Sequence, residues 1–255
     1  MVELQAVTEQ ILRARVSTPA QQSALVAVTG IDGCGKGYAT AQLPRQLTAA
    51  DVHAAVVNVD GWLNLPQVRF DSSNPAGHFY LHAIRFDEMF GQLILPLRER
   101  RTLRLVADYT EETATQYRKH TYEFEELDVI LLEGIYLLKR PFQAFYDLSI
   151  WIECSFETAL KRAIARAQEG LIPEVTAEAY RTIYFPAQEI HFRRDDPRRA
   201  ATVIVDNDPR SQTAHGACAE FAACRTRTGG LQTAVLGGRF GKRPSWVNVL
   251  RLPTT

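Results

Sequence analysis

The chain has 255 residues, of which 46% are hydrophobic and 23% charged, with a formal net charge of zero. This excludes a disordered or fibrous chain, and no apolar run approaches the ~20 residues of a bilayer span. The length suits one large α/β domain or two small ones.

The opening pentapeptide Met1-Val2-Glu3-Leu4-Gln5 lacks the basic start and long apolar stretch of a signal peptide, so a cytoplasmic location is expected. Apolar positions Leu4, Val7, Ile11 and Leu12 predict a lead-in helix within residues 1–19. A buried strand is expected at 25–28, then the glycine-rich stretch Gly30-Ile31-Asp32-Gly33-Cys34-Gly35-Lys36-Gly37, then a helix toward residue 49 that Pro44 should kink or shorten. A second buried strand at 54–59 ends at Asp60-Gly61-Trp62. A loop rich in Pro, Ser and Asn follows, and then one long helix over 78–98. Strands are expected at 102–107, 128–134, 148–152 and 202–205. Helices are expected at 156–168 and, interrupted at Pro186, at 176–192.

Strands alternating with helices predict an α/β fold of the P-loop NTPase type. It would be a doubly wound, mostly parallel sheet with helices on both faces and a small lid, spanning residues 20–208. Residues 209–255 differ in kind. They hold seven basic residues and one acidic residue, Glu220, with six glycines, so they carry +6 against −6 for the rest. They read as an extension, either poorly ordered, a small hairpin, or the product of a shifted reading frame. Nucleic-acid binding rests on this extension alone and is not expected. Cys34, Cys154, Cys218 and Cys224 show neither metal nor redox spacing, and Cys34 reads as a small filler.

The stretch from Gly30 to Lys36 has the spacing G-x-x-x-x-G-K between a strand and a helix. Backbone N–H groups in such a turn face inward, the helix dipole favours an anion, and the lysine reaches the terminal phosphates. Gly30, Asp32, Gly33, Cys34, Gly35, Lys36, Gly37 and Tyr38 are therefore the expected nucleotide-binding residues. Gly37 stands where such loops place the Ser or Thr hydroxyl that holds Mg²⁺, so the metal must lean on water, phosphate or carboxylates. Phosphoryl transfer also calls for a carboxylate to orient the attacking hydroxyl. Asp60, after a buried strand, is the candidate base, and Glu133 ends its strand as a candidate metal-side acid. Arg162 and Arg166 share one helix face and could close over the transferring group. His78, Tyr80 and Tyr109, with Phe79, Tyr117 and Tyr184, are candidates for an acceptor pocket.

These parts in order resemble the uridine kinase family of P-loop kinases. They are the loop, Asp60, Asn74-Pro75, Leu132-Glu133-Gly134-Ile135, the Arg162/Arg166 helix and the closing strand before Asp208. The resemblance implies ATP and Mg²⁺ as cofactors and transfer to the 5′-hydroxyl of uridine or cytidine. It makes Asp60 the base, Glu133 the metal-side acid and Arg162 and Arg166 the lid. Gly37 and the run Gly61-Trp62-Leu63 depart from the family pattern, so a small hydroxyl compound is the broader expectation for the partner, a nucleoside first among them. A homo-oligomer is compatible with this reading. The alternatives are a nucleoside monophosphate kinase and a nucleotide-binding module without transfer activity.

Overall fold

The computed structural model describes residues 2–166, 172–210 and 248–251. Its centre is a parallel sheet in the order β2-β5-β1-β6-β7-β8. The strands are β1 (Ala24–Gly30), β2 (Ala54–Asn58), β5 (Val129–Gly134), β6 (Leu148–Glu153), β7 (Val203–Asp206) and β8 (Asn248–Arg251). Strands β1 and β5 are buried along their whole length, which is why they read as continuous apolar runs. Their side chains alternate between two cores. Ala24, Val26, Val28, Val129 and Leu131 face one, and Leu25, Ala27, Ile130 and Leu132 face the other.

Helices cover both faces. On the first lie α1 (Val2–Ser17) and α2 (Lys36–Thr48), which bury Leu4, Val7, Ile11, Leu43 and Leu47. The lead-in helix thus packs into the sheet's own core. Pro44 sits inside α2 without ending it; Leu43 and Leu47, fully buried on either side, hold the helix to the sheet. On the second face, α3 (Pro66–Arg69) leads to α4 (Pro75–His82), α5 (Phe86–Met89) and α6 (Leu95–Arg100). The helix expected over 78–98 is therefore two helical runs. Residues 83–85 leave the helix because their backbone pairs with the segment after β2: Arg85 N–H donates to Trp62 O at 2.9 Å, and Asn64 N–H to Ala83 O at 2.9 Å. No local breaker marks the site, and tertiary pairing overrides helix propensity.

The expected strand at 102–107 is β3 (Leu103–Tyr109), but it lies outside the parallel sheet. It forms an antiparallel hairpin with β4 (Arg118–Phe124), a strand with no counterpart among the expected elements. Beyond β6 come α7 (Phe156–Arg166), α8 (Pro173–Ala179), α9 (Phe185–Asp195) and α10 (Pro197–Ala200). Pro186 does not interrupt the helix. A π-turn over Tyr180–Tyr184 joins α8 to α9 just ahead of it, and a second π-turn, Phe90–Ile94, precedes Pro96. Widening the turn accommodates a residue with no N–H and a ring that would strike the carbonyl four residues back. Of the expected lid, residues 167–171 lie outside the described residues; so do 211–247 and 252–255 of the extension. Its residues 248–251 add β8 beside β7.

Candidate active site

Strand β1 has β5 on one side and β6 on the other, so the chain leaves it in both directions. The crevice beyond the carboxyl ends at such a point is where open α/β sheets bind ligands. The stretch from Gly30 fills it. Gly33 (φ 74°) and Gly35 (φ 99°) adopt left-handed backbone, and a Cβ on either would strike neighbours, Ala159 O at 2.6 Å and Asn207 Nδ2 at 2.4 Å. Asp32 Oδ1 accepts from Gly33 N–H at 2.8 Å, and its other oxygen accepts from Tyr180. Lys36 opens α2 and folds back so that Nζ donates to Ile31 O at 3.0 Å. The Cys34 carbonyl is tied down twice, by Asn207 Nδ2 at 2.7 Å and by Arg162 Nη1 at 3.1 Å. Cys34 itself is fully buried, which pushes its thiol pKa up and leaves it an uncharged filler.

A cavity of about 450 Å³ opens above this loop, and Lys36, Gly37, Asp60, Glu133, Arg162 and Arg166 all line it. Register sets the acids. Asn58, at the end of β2, pairs with Glu133 at the end of β5, and Asp60 follows in a 3-10 turn. Asn58 joins the two: Nδ2 donates to Glu133 Oε2 at 2.9 Å, and Oδ1 accepts from the Asp60 backbone N–H at 2.8 Å. Burial raises the pKa of Glu133 despite the attraction of Lys36. Asp60 lines the cavity from an exposed position; desolvation raises its pKa too, again against the pull of Lys36. Burial works against the Lys36 ammonium, but Cys34, Asp32, Glu133 and Asp60 outweigh it, and its pKa is raised. The arrangement is one buried cation facing carboxylates across an open cavity.

The two arginines differ. Arg162 is built into the framework, donating to the carbonyls of Cys34 and, at 2.9 Å, Asn207. Arg166 is half-exposed and lies 3.7 Å from Asp32. The far end of the cavity carries Arg69, Phe79, Tyr136, Tyr184 and Gln188. There the Tyr136 hydroxyl and Gln188 Oε1 are buried with no hydrogen-bond partner among the described residues. Arg69 is buried and donates to the Glu112 carbonyl.

Of the expected acceptor residues, Phe79 and Tyr184 line this cavity, whereas His78, Tyr80, Tyr109 and Tyr117 do not. His78 contacts Val68 O at 2.8 Å, Tyr80 donates to Asp195, Tyr109 packs against His120 on the hairpin, and Tyr117 donates to Asn64. Asn58, Arg69, Tyr136, Gln188 and Asn207 join the site without a sequence signal of their own. Among the described residues no cluster of three or more His, Cys, Asp or Glu side chains could hold a metal by itself.

A phosphate loop, a buried lysine and strand-end carboxylates around one cavity on a doubly wound sheet define a P-loop phosphotransferase. The sequence model of the Phosphoribulokinase / Uridine kinase family matches residues 25–170, and the chain belongs to that family. A uridine kinase of Macrococcus caseolyticus is 25% identical over 191 residues, covering 72% of this chain and 88% of that protein. The fold is that of a possible uridine kinase from Bacillus stearothermophilus (TM-score 0.61, 17% identity, 79% of this chain and 96% of that one). It is also shared by a putative fructose transport system kinase from Silicibacter sp. TM1040 (TM-score 0.59, 24% identity, 74% and 93%). The protein is a P-loop kinase that transfers phosphate to a hydroxyl of a small molecule.

Proposed function

We propose that this kinase moves the γ-phosphoryl group of ATP to a hydroxyl of a ring-bearing small molecule, a uridine- or cytidine-like nucleoside first. The observation that carries this reading is Asp60 in the wall of the same cavity that Lys36 and the phosphate loop line. Asp60 takes the proton of the attacking hydroxyl, the hydroxyl oxygen bonds to the γ-phosphorus, and the bond to the β-phosphate oxygen breaks to release ADP. Lys36 and the loop N–H groups hold the donor phosphates. Phe79 and Tyr184 offer ring faces to the acceptor, and Tyr136 and Gln188 offer it a buried hydroxyl and amide.

The donor set suits a phosphate-borne Mg²⁺, which keeps most of its waters and needs only one or two carboxylates. Glu133 would supply one directly or through water, leaving Asp60 free to act as base, and the ion would neutralise charge on the transferring group. At Gly37 a Cβ would meet nothing within 4 Å, so the place of the missing hydroxyl is open space. Residues 20–208, with the lead-in helix docked on them, are the unit assigned to this activity, and the cytoplasm is its assigned location.

The test is ATP consumption against a panel of ribonucleosides, with and without Mg²⁺, for the wild-type protein and Asp60→Ala. Mg²⁺-dependent transfer to uridine or cytidine that is lost in Asp60→Ala supports the reading. Transfer that survives Asp60→Ala removes Asp60 as the base. Transfer only to other hydroxyl compounds removes the nucleoside.

A further inference from the structure

A second cavity, of about 540 Å³, is lined by Tyr80, Leu81 and Pro141 together with charged side chains. Its charged walls are Lys139, Arg140, Arg193, Arg194 and Asp195. Asp195 is already engaged: its carboxylate accepts from the Tyr80 hydroxyl at 2.5 Å and from the Arg140 backbone N–H at 3.1 Å, and His191 Nδ1 lies 2.7 Å away. Arg193 is paired with Glu189 at 3.6 Å. Lys139, Arg140 and Arg194 have no carboxylate within 4 Å among the described residues. Three unpaired cations against one acid leave the basin at +2. Lys139 and Arg194 both lie over the Tyr80 ring, at 4.3 and 5.4 Å from its centroid, so their charges are held toward the same space. Among the described residues Lys139 Nζ donates only to the Tyr80 carbonyl, at 2.5 Å. Burial lowers its pKa to about 8, more than Asp195 raises it, as expected of a cation short of counter-charge.

We propose that this basin is a second anion site, separate from the phosphate loop, that binds a small phosphate monoester. Such a group carries a charge near −2, which matches the basin, and its oxygens suit two arginine forks and an ammonium. The cavity is large enough for a metabolite-sized body behind the phosphate. Three elements of the basin also wall the catalytic cavity: α4 through Phe79 and Tyr80, the strand-end segment through Tyr136 and Lys139, and α9 through Gln188 and Asp195. A ligand here touches the supports of the acceptor.

The experiment is calorimetric titration of inorganic phosphate into the nucleotide-free protein. The variants are Arg140→Ala/Arg194→Ala, Lys139→Met and Lys36→Met. The Arg140 amide that holds Asp195 is backbone and survives substitution. The wild type should bind two phosphates. Arg140→Ala/Arg194→Ala and Lys139→Met should each lose one, with at least a tenfold weaker second phase and unchanged ATP binding. Lys36→Met should keep the basin's phase. A single phosphate in the wild type, or equal binding by wild type and both basin variants, overturns the proposal. Because turnover is not read, failure of the assigned acceptor leaves this result intact. If the double variant does not fold, as judged by its thermal midpoint, Lys139→Met alone decides.

Discussion

Gly35→Ala tests whether the phosphate loop is held by its glycine geometry. Gly35 has φ 99°, a conformation that costs an L-residue roughly 1–2 kcal/mol. The added Cβ would lie 2.4 Å from Asn207 Nδ2, which must move and release its 2.7 Å bond to Cys34 O. A hydrogen bond of that kind contributes about 1–1.5 kcal/mol. Together these give a loss of about 3 kcal/mol, or roughly 6–12 °C in Tm for a domain of this size. Gly37→Ala is the control. Its Cβ meets nothing within 4 Å, and inside the first turn of α2 alanine should gain up to about 1 kcal/mol over glycine. Both are read by thermal unfolding and by the Kd for ATP. A Gly35→Ala protein as stable as wild type, or a Gly37→Ala protein equally damaged, refutes the reasoning.

Four further outcomes are expected. Asp60→Asn should lower kcat by about 10²- to 10⁴-fold while the Kd for ATP changes little, measured by steady-state kinetics and equilibrium binding. Asn58→Ala removes one hydrogen bond to a carboxylate and the anchor of the Asp60 backbone, so kcat/KM should fall about 10- to 100-fold without loss of Tm beyond a few degrees. Gly37→Ser places a hydroxyl in open space beside the phosphates, so the Mg²⁺ concentration for half-maximal activity should drop; an unchanged value would show that the position does not face the metal. The last concerns pH. Burial lowers the His191 pKa below the ordinary 6.5 in spite of Asp195. The unfolded chain then takes up that proton first as pH falls, so stability is full above 6.5 and declines below it. The Asp195 carboxyl also sits below its ordinary 3.8, since the His191 and Tyr80 bonds outweigh burial, so a second decline follows under that pH. Urea midpoints across the range should show the first limb, and His191→Gln should remove it.

The phosphate loop was legible because its signal is local. Three glycines and a lysine at fixed spacing, after an apolar run, require no knowledge of the rest of the chain. Glu133 was legible for a related reason, since a lone acid closing a fully buried strand stands out against Val129–Leu132. Asn58 carries no such mark. It matters because register sets β2 beside β5, which places its amide between Glu133 and Asp60. Asn207 likewise gains its role only when β7 closes next to β6, and Arg162 only when β6, paired with β1, leads into α7; both then reach the Cys34 carbonyl. The β4 strand was hidden in charge. Only His120, Tyr122 and Phe124 alternate there, against Arg118, Lys119 and Glu123, and that weak period shows its meaning once β3 lies opposite. The expected helix over 78–98 failed because the break at residues 83–85 is written in the segment they pair with, 62–64, and not in themselves.

The helical run from α8 to α9 shows how far these features depend on one another. Tyr180, in its π-turn, donates to Asp32 in the phosphate loop. Tyr184 and Gln188, one and two turns on, wall the acceptor end of the cavity. His191 and Asp195, further along, hold Tyr80 and the edge of the basic basin. A π-turn adds a residue to the helical repeat and so rotates everything after it relative to everything before. Without the turn ahead of Pro186, Tyr180 could not reach Asp32 while Tyr184 and Gln188 wall the cavity. The proline that looked like a break in the sequence is therefore part of what aligns the donor and acceptor ends of the site.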